Sequence, residues 1–125
     1  MKKILIVDDS LTIVRLIGDI LEKAGFEVET IVDSSEFLTE KPKIFNPDLI
    51  ILDINMPVYD GYYILEYISG DSFFVNIKVM MCSTKFFMQD KLKALRLGAD
   101  DFLVKPFTEE ELLEKINRLL SETNK

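Results

Sequence analysis

Short runs of apolar residues recur along the chain, and four of them have no helical spacing. An uninterrupted run of this length is typical of a β-strand that is covered on both faces. The run at 49–52 is the most clearly bounded, because Pro47 and Pro57 flank it. A fifth segment, 26–31, alternates apolar and polar residues and therefore predicts a more exposed edge strand. The four predicted buried strands are 4–7, 49–52, 77–82 and 102–104.

Segments with apolar residues at every third or fourth position separate these strands and predict five helices. In the second helix, Ser34 or Ser35 is expected to act as the N-cap, and Pro42 is expected to end or kink the helix. In the last helix, Thr108 and Glu111 are spaced as in a capping box. The helices are predicted at about 11–24, 35–40, 61–69, 88–97 and 108–120.

Five strands that alternate with five helices through short connections predict an α/β fold. Such alternation is typical of right-handed β-α-β crossovers, which build a parallel sheet covered by helices on both faces. At 125 residues the chain is expected to form a single domain with its own core. We adopt 2-1-3-4-5 as the expected strand order, because it is a known order of doubly wound sheets and not because the sequence requires it.

Composition and charge exclude several classes of function. The formal net charge is -7 and no basic run forms a patch, so neither nucleic acid nor an anionic membrane is expected as a direct partner. The absence of histidine excludes Ser-His-Asp and Cys-His catalysis as well as histidine-ligated zinc. Cys82 is the only cysteine, so no internal disulfide can form. The apolar start is too short for a signal peptide or a membrane span, and a cytoplasmic protein is expected.

Polar residues follow four of the predicted strands, although the apolar strand bodies give no reason for them. In open α/β sheets, ligands bind at the edge where the carboxyl ends of parallel strands meet. Each residue alone has an ordinary explanation as a helix cap, a turn residue or a solvated lysine. Their joint position at successive strand ends favours a functional site. In chain order the residues are Asp8, Asp9, Asp53, Ser83, Thr84 and Lys105.

The residue types at these strand ends predict phosphoryl chemistry. Three clustered carboxylates cannot all stay ionised unless a cation joins them. A set of oxygen ligands without histidine or thiolate favours a hard ion such as Mg²⁺. With that ion, Lys105 would neutralise phosphoryl oxygens and Ser83 would donate to another. In-line attack by the carboxylate of Asp53 would then give an aspartyl phosphate.

Several motifs in a fixed order cover essentially the whole chain. They are ILIVDD at 4–9, DLIILDINMP at 48–57, Asp60-Gly61, Ser83, and GADDFLVKPF at 98–107. In these motifs the chain resembles the receiver domain of two-component response regulators, the CheY-like family. The resemblance implies a flavodoxin-like (βα)5 fold with the order 2-1-3-4-5. We expect a single receiver domain over 1–125 with no output domain, which would act by contact with other proteins unless the chain is part of something longer.

The same resemblance assigns roles to the strand-end residues. Asp53 would be the phosphoacceptor, and a sensor histidine kinase or a phosphotransfer protein would be the donor. Asp9 and Asp53 would bind Mg²⁺ directly together with the backbone carbonyl of Asn55, while Asp8 would act mainly through water. The Lys105-Pro106 bond would be cis, a form that is common only before proline. The phosphate-binding residues would be Asn55, Ser83, Thr84 and Lys105.

The family resemblance further implies a switch and not an enzyme with a substrate to convert, apart from catalysis of its own phosphorylation and dephosphorylation. Ser83 would move toward the phosphoryl group, and Phe102 would turn inward behind it. This population shift would remodel the face made by the fourth helix, fifth strand and fifth helix, to which a downstream protein binds. The oligomeric state is left open, a monomer included.

Three positions depart from the family pattern. Thr84 stands where Ala or Gly is usual, so its side chain is expected to crowd the phosphoryl site and slow the entry of water or small donors. Phe102 stands where Tyr is also common and lacks a hydroxyl. Phe86, Phe87 and Met88 replace a usually polar stretch. They either fold back as local core or form a docking patch, and we favour docking.

Two other functions compete with the switch. One is a Mg²⁺-dependent phosphatase that acts on small phosphoesters through an aspartyl phosphate. Phosphatases of the haloacid dehalogenase type usually carry a second Asp two residues after the nucleophile, and here Asn55 occupies that position and cannot exchange a proton at neutral pH. The other is a receiver-shaped interaction module that is never phosphorylated. The intact set of strand-end residues argues against it.

Overall fold

The computed structural model describes residues 1–84 and 88–122 of the chain. Its centre is a five-stranded sheet in the order β2-β1-β3-β4-β5, and all four neighbouring pairs are parallel. The predicted α/β class and strand order are therefore confirmed, with β2 at one edge. The strands are β1 (Lys3–Val7), β2 (Glu27–Ile31), β3 (Leu49–Asp53), β4 (Lys78–Ser83) and β5 (Asp101–Val104).

Helices connect successive strands on both faces of the sheet. Two short 3₁₀ turns, Ser34–Leu38 and Ser72–Phe74, accompany them. No helix in the described part of the chain is both long and apolar enough to cross a membrane. The helices are α1 (Leu11–Lys23), α2 (Lys41–Phe45), α3 (Gly61–Ser69), α4 (Met88–Arg96) and α5 (Glu109–Ser121).

Two apolar clusters cover the two faces, because successive side chains of a strand point to opposite sides. In β1, Ile4 and Ile6 face α1 and α5, whereas Leu5 and Val7 face α3 and the 3₁₀ turn that contains Phe37. Every residue of β3 is buried. The strand is therefore covered on both faces, as its uninterrupted apolar run predicted.

The segment after β2 differs from the prediction. Instead of one helix capped by a serine, a 3₁₀ turn forms, and Asp33 caps it by accepting a hydrogen bond from the backbone N–H of Ser35. The chain is extended at Thr39 and then starts the separate helix α2. Pro42 lies in the first turn of α2, where its missing N–H has no helical partner to lose. The predictions that Ser34 or Ser35 caps this helix and that Pro42 ends it were wrong.

The two C-terminal helices are held very differently. The predicted capping box of α5 is present, with Thr108 and Glu111 bonding each other's backbone N–H groups. Helix α4 buries only the side chain of Ala94, while Leu92 and Leu95 are 48% and 40% exposed. The leucines that predicted α4 thus lie toward solvent.

Candidate functional site

Three charged side chains meet at the carboxyl edge of the sheet, between β1, β3 and β5. The ammonium Nζ of Lys105 donates to Asp8 Oδ2 at 2.8 Å and to Asp53 Oδ1 at 3.1 Å. These side chains are only 11%, 5% and 8% exposed for Lys105, Asp8 and Asp53. A buried cation therefore bridges two buried carboxylates that are far apart in the sequence.

Backbone contacts fix two members of this group, Asp8 and Lys105. The N–H of Asp8 donates to Ile31 O at 3.0 Å, and Asp8 Oδ1 accepts from the N–H of Ser10, the N-cap of α1. The N–H of Lys105 donates to Ser83 O at 2.8 Å, and the Lys105-Pro106 bond is cis. These contacts continue the sheet by one residue beyond β1 and β5.

Gly61 is required next to the nucleophile candidate. Its N–H donates to Ile54 O at 2.7 Å, and a Cβ at position 61 would lie 2.4 Å from the backbone oxygen of Asp53. Real Cβ atoms do not approach a carbonyl so closely, so a larger residue would displace the end of β3. The Asp60-Gly61 pair is therefore a turn and also a close backbone contact.

The surroundings of Asp53 and Lys105 shift both pKa values. Burial and the nearby charge of Asp8 raise the pKa of Asp53 to about 6, and the charge of Lys105 opposes this rise. Burial alone would lower the pKa of Lys105, but its hydrogen bond to Asp8 and the charge of Asp53 outweigh burial and raise it. At neutral pH, Lys105 is therefore a cation and most of Asp53 is an ionised carboxylate.

The residues present fit a divalent cation. Asp8, Asp9 and Asp53 each offer a carboxylate oxygen, and these three oxygens lie within 4.8 Å of one another. Asp9 is exposed and the other two are buried, so the group opens to solvent on one side. Hard oxygen ligands at a site that can keep several waters are the set that Mg²⁺ prefers.

Two further polar residues lie at this edge, Ser83 as the last residue of β4 and Thr84 directly after it. Ser83 is buried, and Asn55 Nδ2 donates to Ser83 Oγ at 3.4 Å, a long contact. Thr84 is exposed. Cys82 is buried, and burial raises the pKa of its thiol to about 12, as expected for a core residue and not a nucleophile.

The residues assigned to the switch and the docking patch lie away from the carboxylates. Phe102 is 4% exposed and packs in the cluster on the α3 side of the sheet. Met88 begins α4 and is 58% exposed, so it does not fold back as core. Phe86 and Phe87 lie outside the described residues.

One contact near the site was not foreseen from the sequence. The buried hydroxyl of Ser34 donates to Pro57 O at 2.9 Å and accepts from the N–H of Tyr59 at 3.2 Å. Val58, between these two residues, has a φ of 71° and is 80% exposed. Ser34 thus fixes the loop after β3, and no periodic pattern could reveal a serine and a loop 23 residues apart.

Comparisons with known proteins decide which family has this site. The family described as "Response regulator receiver domain" matches residues 4–117. The chain is 39% identical over 119 residues to the chemotaxis protein CheY of Bacillus subtilis, which covers 95% of this chain and 98% of CheY. The chain is a member of the response regulator receiver domain family.

Two further matches show how widely this receiver domain is used. A structure of the chemotaxis protein CheY4 of Vibrio cholerae has a TM-score of 0.88 at 35% identity and covers 95% of this chain and 98% of CheY4. The probable transcriptional regulator ycf27 of Cyanophora paradoxa is 38% identical over 98% of this chain, and the match covers 49% of the regulator. This chain spans about half the length of the transcriptional regulators that it matches.

Membership of the family settles the general type of function. Receiver domains are signalling switches of two-component systems and not classical enzymes. They generally bind Mg²⁺ at an acidic pocket, and this chain has an acidic group of Asp8, Asp9 and Asp53. They interact with histidine kinases and with downstream targets.

Proposed function

We propose that this receiver is switched by phosphorylation of Asp53. The donor is a sensor histidine kinase or a phosphotransfer protein, and the response is a changed α4-β5-α5 face that binds a downstream protein. The observation that supports this most directly is the buried Asp8-Lys105-Asp53 bridge beside Asp9. A nucleophilic carboxylate, a fixed cation and a set of metal ligands at one strand edge are the parts that phosphoryl transfer needs.

Each residue has a defined task in the transfer. Lys105 binds Asp53 Oδ1, which leaves Oδ2 to attack the phosphorus atom; the P–N bond of the donor histidine breaks as the new P–O bond forms. Asp8, Asp9 and Asp53, with Asn55, hold Mg²⁺, which when bound neutralises charge on the phosphoryl oxygens. Lys105 neutralises a further oxygen, because its ammonium already lies 3.1 Å from Asp53.

The residues beyond β4 are proposed to respond to the new group. Ser83 donates to a phosphoryl oxygen and gives up its long contact with Asn55. Phe102 is buried in the neighbouring strand and pairs with Met81, two residues before Ser83, so we expect its environment to change when Ser83 moves. Thr84 borders the same space and slows the entry of water and small donors. Met88, at the start of α4, is proposed as part of the partner surface together with Phe86 and Phe87.

The proposed partners are proteins. The net charge of -7 does not favour direct binding of nucleic acid or of an anionic membrane. The site needs only a phosphorylated donor side chain that can reach Asp53. A cytoplasmic location fits this donor chemistry and the single buried cysteine.

The mass of the intact protein after incubation with acetyl phosphate and Mg²⁺ tests the proposal. We expect one added phosphoryl group on the wild type, none on Asp53→Asn, and none when EDTA removes the metal. An adduct that persists in Asp53→Asn would contradict the assignment of the phosphoacceptor.

A titration with beryllofluoride separates a blocked entrance from a site without function. Beryllofluoride mimics the phosphoryl group on a carboxylate and needs no leaving group. If acetyl phosphate gives no adduct but beryllofluoride binds in the presence of Mg²⁺, Thr84→Ala should restore the adduct. Failure of both reagents on the wild type would overturn the proposed function.

A further inference from the structure

Helix α4 has few apolar contacts to hold it on the sheet. It is nine residues long, and Ala94 is its only buried residue. Leu92 and Leu95 are 48% and 40% exposed. Burial of an apolar stripe normally fixes a surface helix. Polar contacts therefore contribute more to the position of α4 than they usually do for a surface helix.

Two hydrogen bonds from α3 reach the two ends of α4. Near the start of α3, the hydroxyl of Tyr62 donates to Asp90 Oδ1 at 3.0 Å. At the end of α3, the hydroxyl of Ser69 donates to Leu97 O at 2.7 Å. Both pairs are separated by 28 residues in the sequence. The two donors and the two acceptors are thus each about two helical turns apart, so the two hydrogen bonds lie side by side between neighbouring helices. We call the Tyr62-Asp90 bond the first rung and the Ser69-Leu97 bond the second rung.

The two rungs differ in kind. The first joins the hydroxyl of Tyr62 mainly to the side chain of Asp90, near the start of α4, and the backbone oxygen of Asp90 accepts from the same hydroxyl at a longer distance of 3.4 Å. Lys93 supports this contact, because its Nζ lies 4.2 Å from the ring centre of Tyr62. Burial and the bond to Asp90 raise the pKa of Tyr62 to about 12, so the phenol remains a donor at neutral pH.

The second rung binds the backbone at a point that is also fixed by other contacts. The N–H of Ala99 donates to Ala94 O at 3.0 Å, and Gly98 turns the chain with a φ of 110°. A Cβ at position 98 would lie 2.9 Å from Ser69 Oγ, so the chain passes close to α3 here. This end of α4 has little freedom to move.

We propose that the Tyr62-Asp90 contact is a latch and the Ser69-Leu97 contact is a pivot for α4. The helix turns about its C-terminal end when the latch opens, and the latch sets how readily the receiver reaches its activated arrangement. This inference rests on the proposed function, in which phosphorylation of Asp53 remodels the face that contains α4. A contact present in one arrangement only shifts the equilibrium, whereas a contact present in both does not.

Beryllofluoride affinity in the presence of Mg²⁺ distinguishes the two rungs. Tyr62→Phe keeps the ring and the Lys93 contact but removes the donated hydrogen bond. We expect it to bind beryllofluoride about three- to tenfold more tightly than the wild type, since activation no longer breaks that bond. Ser69→Ala is the matched control and should change the affinity by less than about twofold. Equal shifts in the two variants, or none in Tyr62→Phe, would overturn the proposal.

Amide hydrogen exchange of the unliganded protein tests the latch without any phosphoryl chemistry. In Tyr62→Phe, the N–H of Leu92 should exchange about three- to tenfold faster, because the start of α4 opens more often. The N–H of Ala99, beyond the pivot, should keep its wild-type rate. Unchanged exchange at Leu92 would overturn the latch. If instead the wild type binds no beryllofluoride and takes no phosphoryl group, the proposed function fails, and exchange still decides whether the latch exists.

Discussion

Helices α4 and α5 pack beside the same strand, β5, on opposite faces of the sheet, and they are held in opposite ways. Helix α5 buries Leu112, Ile116 and Leu119 and begins with a capping box. Helix α4 buries only Ala94 and relies on two polar contacts from α3. The strand that leads to Lys105 thus has one helix held by a core stripe beside it and one helix that we propose to be adjustable.

The candidate site also contains fixed residues and a residue that we propose to move. Asp8 and Lys105 directly follow β1 and β5, and Asp53 ends β3; Lys105 forms short ion pairs with both carboxylates, and all three side chains are almost fully buried. Ser83, the last residue of β4, accepts a hydrogen bond from Asn55 at 3.4 Å, a long contact. Asp53, the proposed phosphoacceptor, and Lys105 are thus set in a firm framework, whereas Ser83 is the residue that we propose to move toward the phosphoryl group. A switch needs both properties, since the chemistry requires fixed geometry and the response requires an element with two arrangements.

The largest expected contrast is between apolar truncations in the two helices. Ile116→Ala in α5 should lower the free energy of unfolding by about 3 kcal/mol, because it leaves a cavity in a buried cluster. Leu92→Ala in α4 should lower it by less than about 1 kcal/mol, because that side chain is 48% exposed. Urea denaturation of both variants measures the difference. Similar losses would show that the two helices are held alike.

The next prediction concerns the charge of the Asp53 side chain. Its pKa is about 6 in the folded protein and 3.8 is the ordinary value, so between these pH values the folded state binds more protons than the unfolded state. The contribution of Asp53 to the free energy of unfolding should therefore fall as the pH rises from about 4 to 6. Asp53→Asn removes this titration and should be more stable than the wild type at pH 7 by about 1–2 kcal/mol, after allowance for screening by water.

Urea denaturation at several pH values in EDTA tests this prediction without bound metal. The informative quantity is the difference in stability between wild type and Asp53→Asn, because the other carboxylates titrate in both. This difference should be close to zero at pH 4 and should grow toward pH 7. A constant difference, or a less stable variant at pH 7, would mean that Lys105 compensates the charge of Asp53 fully.

A smaller effect is expected from the cap of α5. Thr108 Oγ1 accepts from the N–H of Glu111 at 3.1 Å, so Thr108→Ala should cost about 1 kcal/mol. Thr12→Ala, at an exposed position within α1, is the matched control and should be neutral or slightly stabilising, since alanine has the higher helix propensity. Thermal unfolding of the two variants would separate loss of a cap from loss of a threonine.

The sequence predicted the strands and the site residues at their ends better than it predicted the packing of α4. Uninterrupted apolar runs identified the buried strands, because a strand covered on both faces has no polar side. The polar residues at the strand ends identified the candidate site. Their convergence, however, depended on a strand order that was adopted from known folds, since residues 8, 53 and 105 have no local relation in the sequence.

The sequence did not predict the contacts that single side chains make across the fold. The bond from Tyr62 to Asp90 and the contacts of Ser34 with the loop after β3 have no periodic signal. The sequence did not predict the orientation of α4 either. Its spacing indicated Leu92 and Leu95 as the core residues, whereas the structure buries Ala94. In the segment after β2, the local cap by Asp33 outweighed the continuous helix that was predicted.

The smallest expected effect shows what holds α5. Asp101 in β5 forms ion pairs with Lys115 and with Arg118, and the side chain of Arg118 is 57% exposed. Exposed ion pairs contribute little, so Arg118→Ala should cost at most about 0.5 kcal/mol, and this cost should disappear in 1 M salt, where the Debye length is about 3 Å. Urea denaturation at low and high salt measures it. A loss near that of Ile116→Ala would mean that charge, and not the apolar stripe, distinguishes α5 from α4. A small, salt-sensitive loss would instead attribute the difference between the two helices to the core residues that α4 lacks.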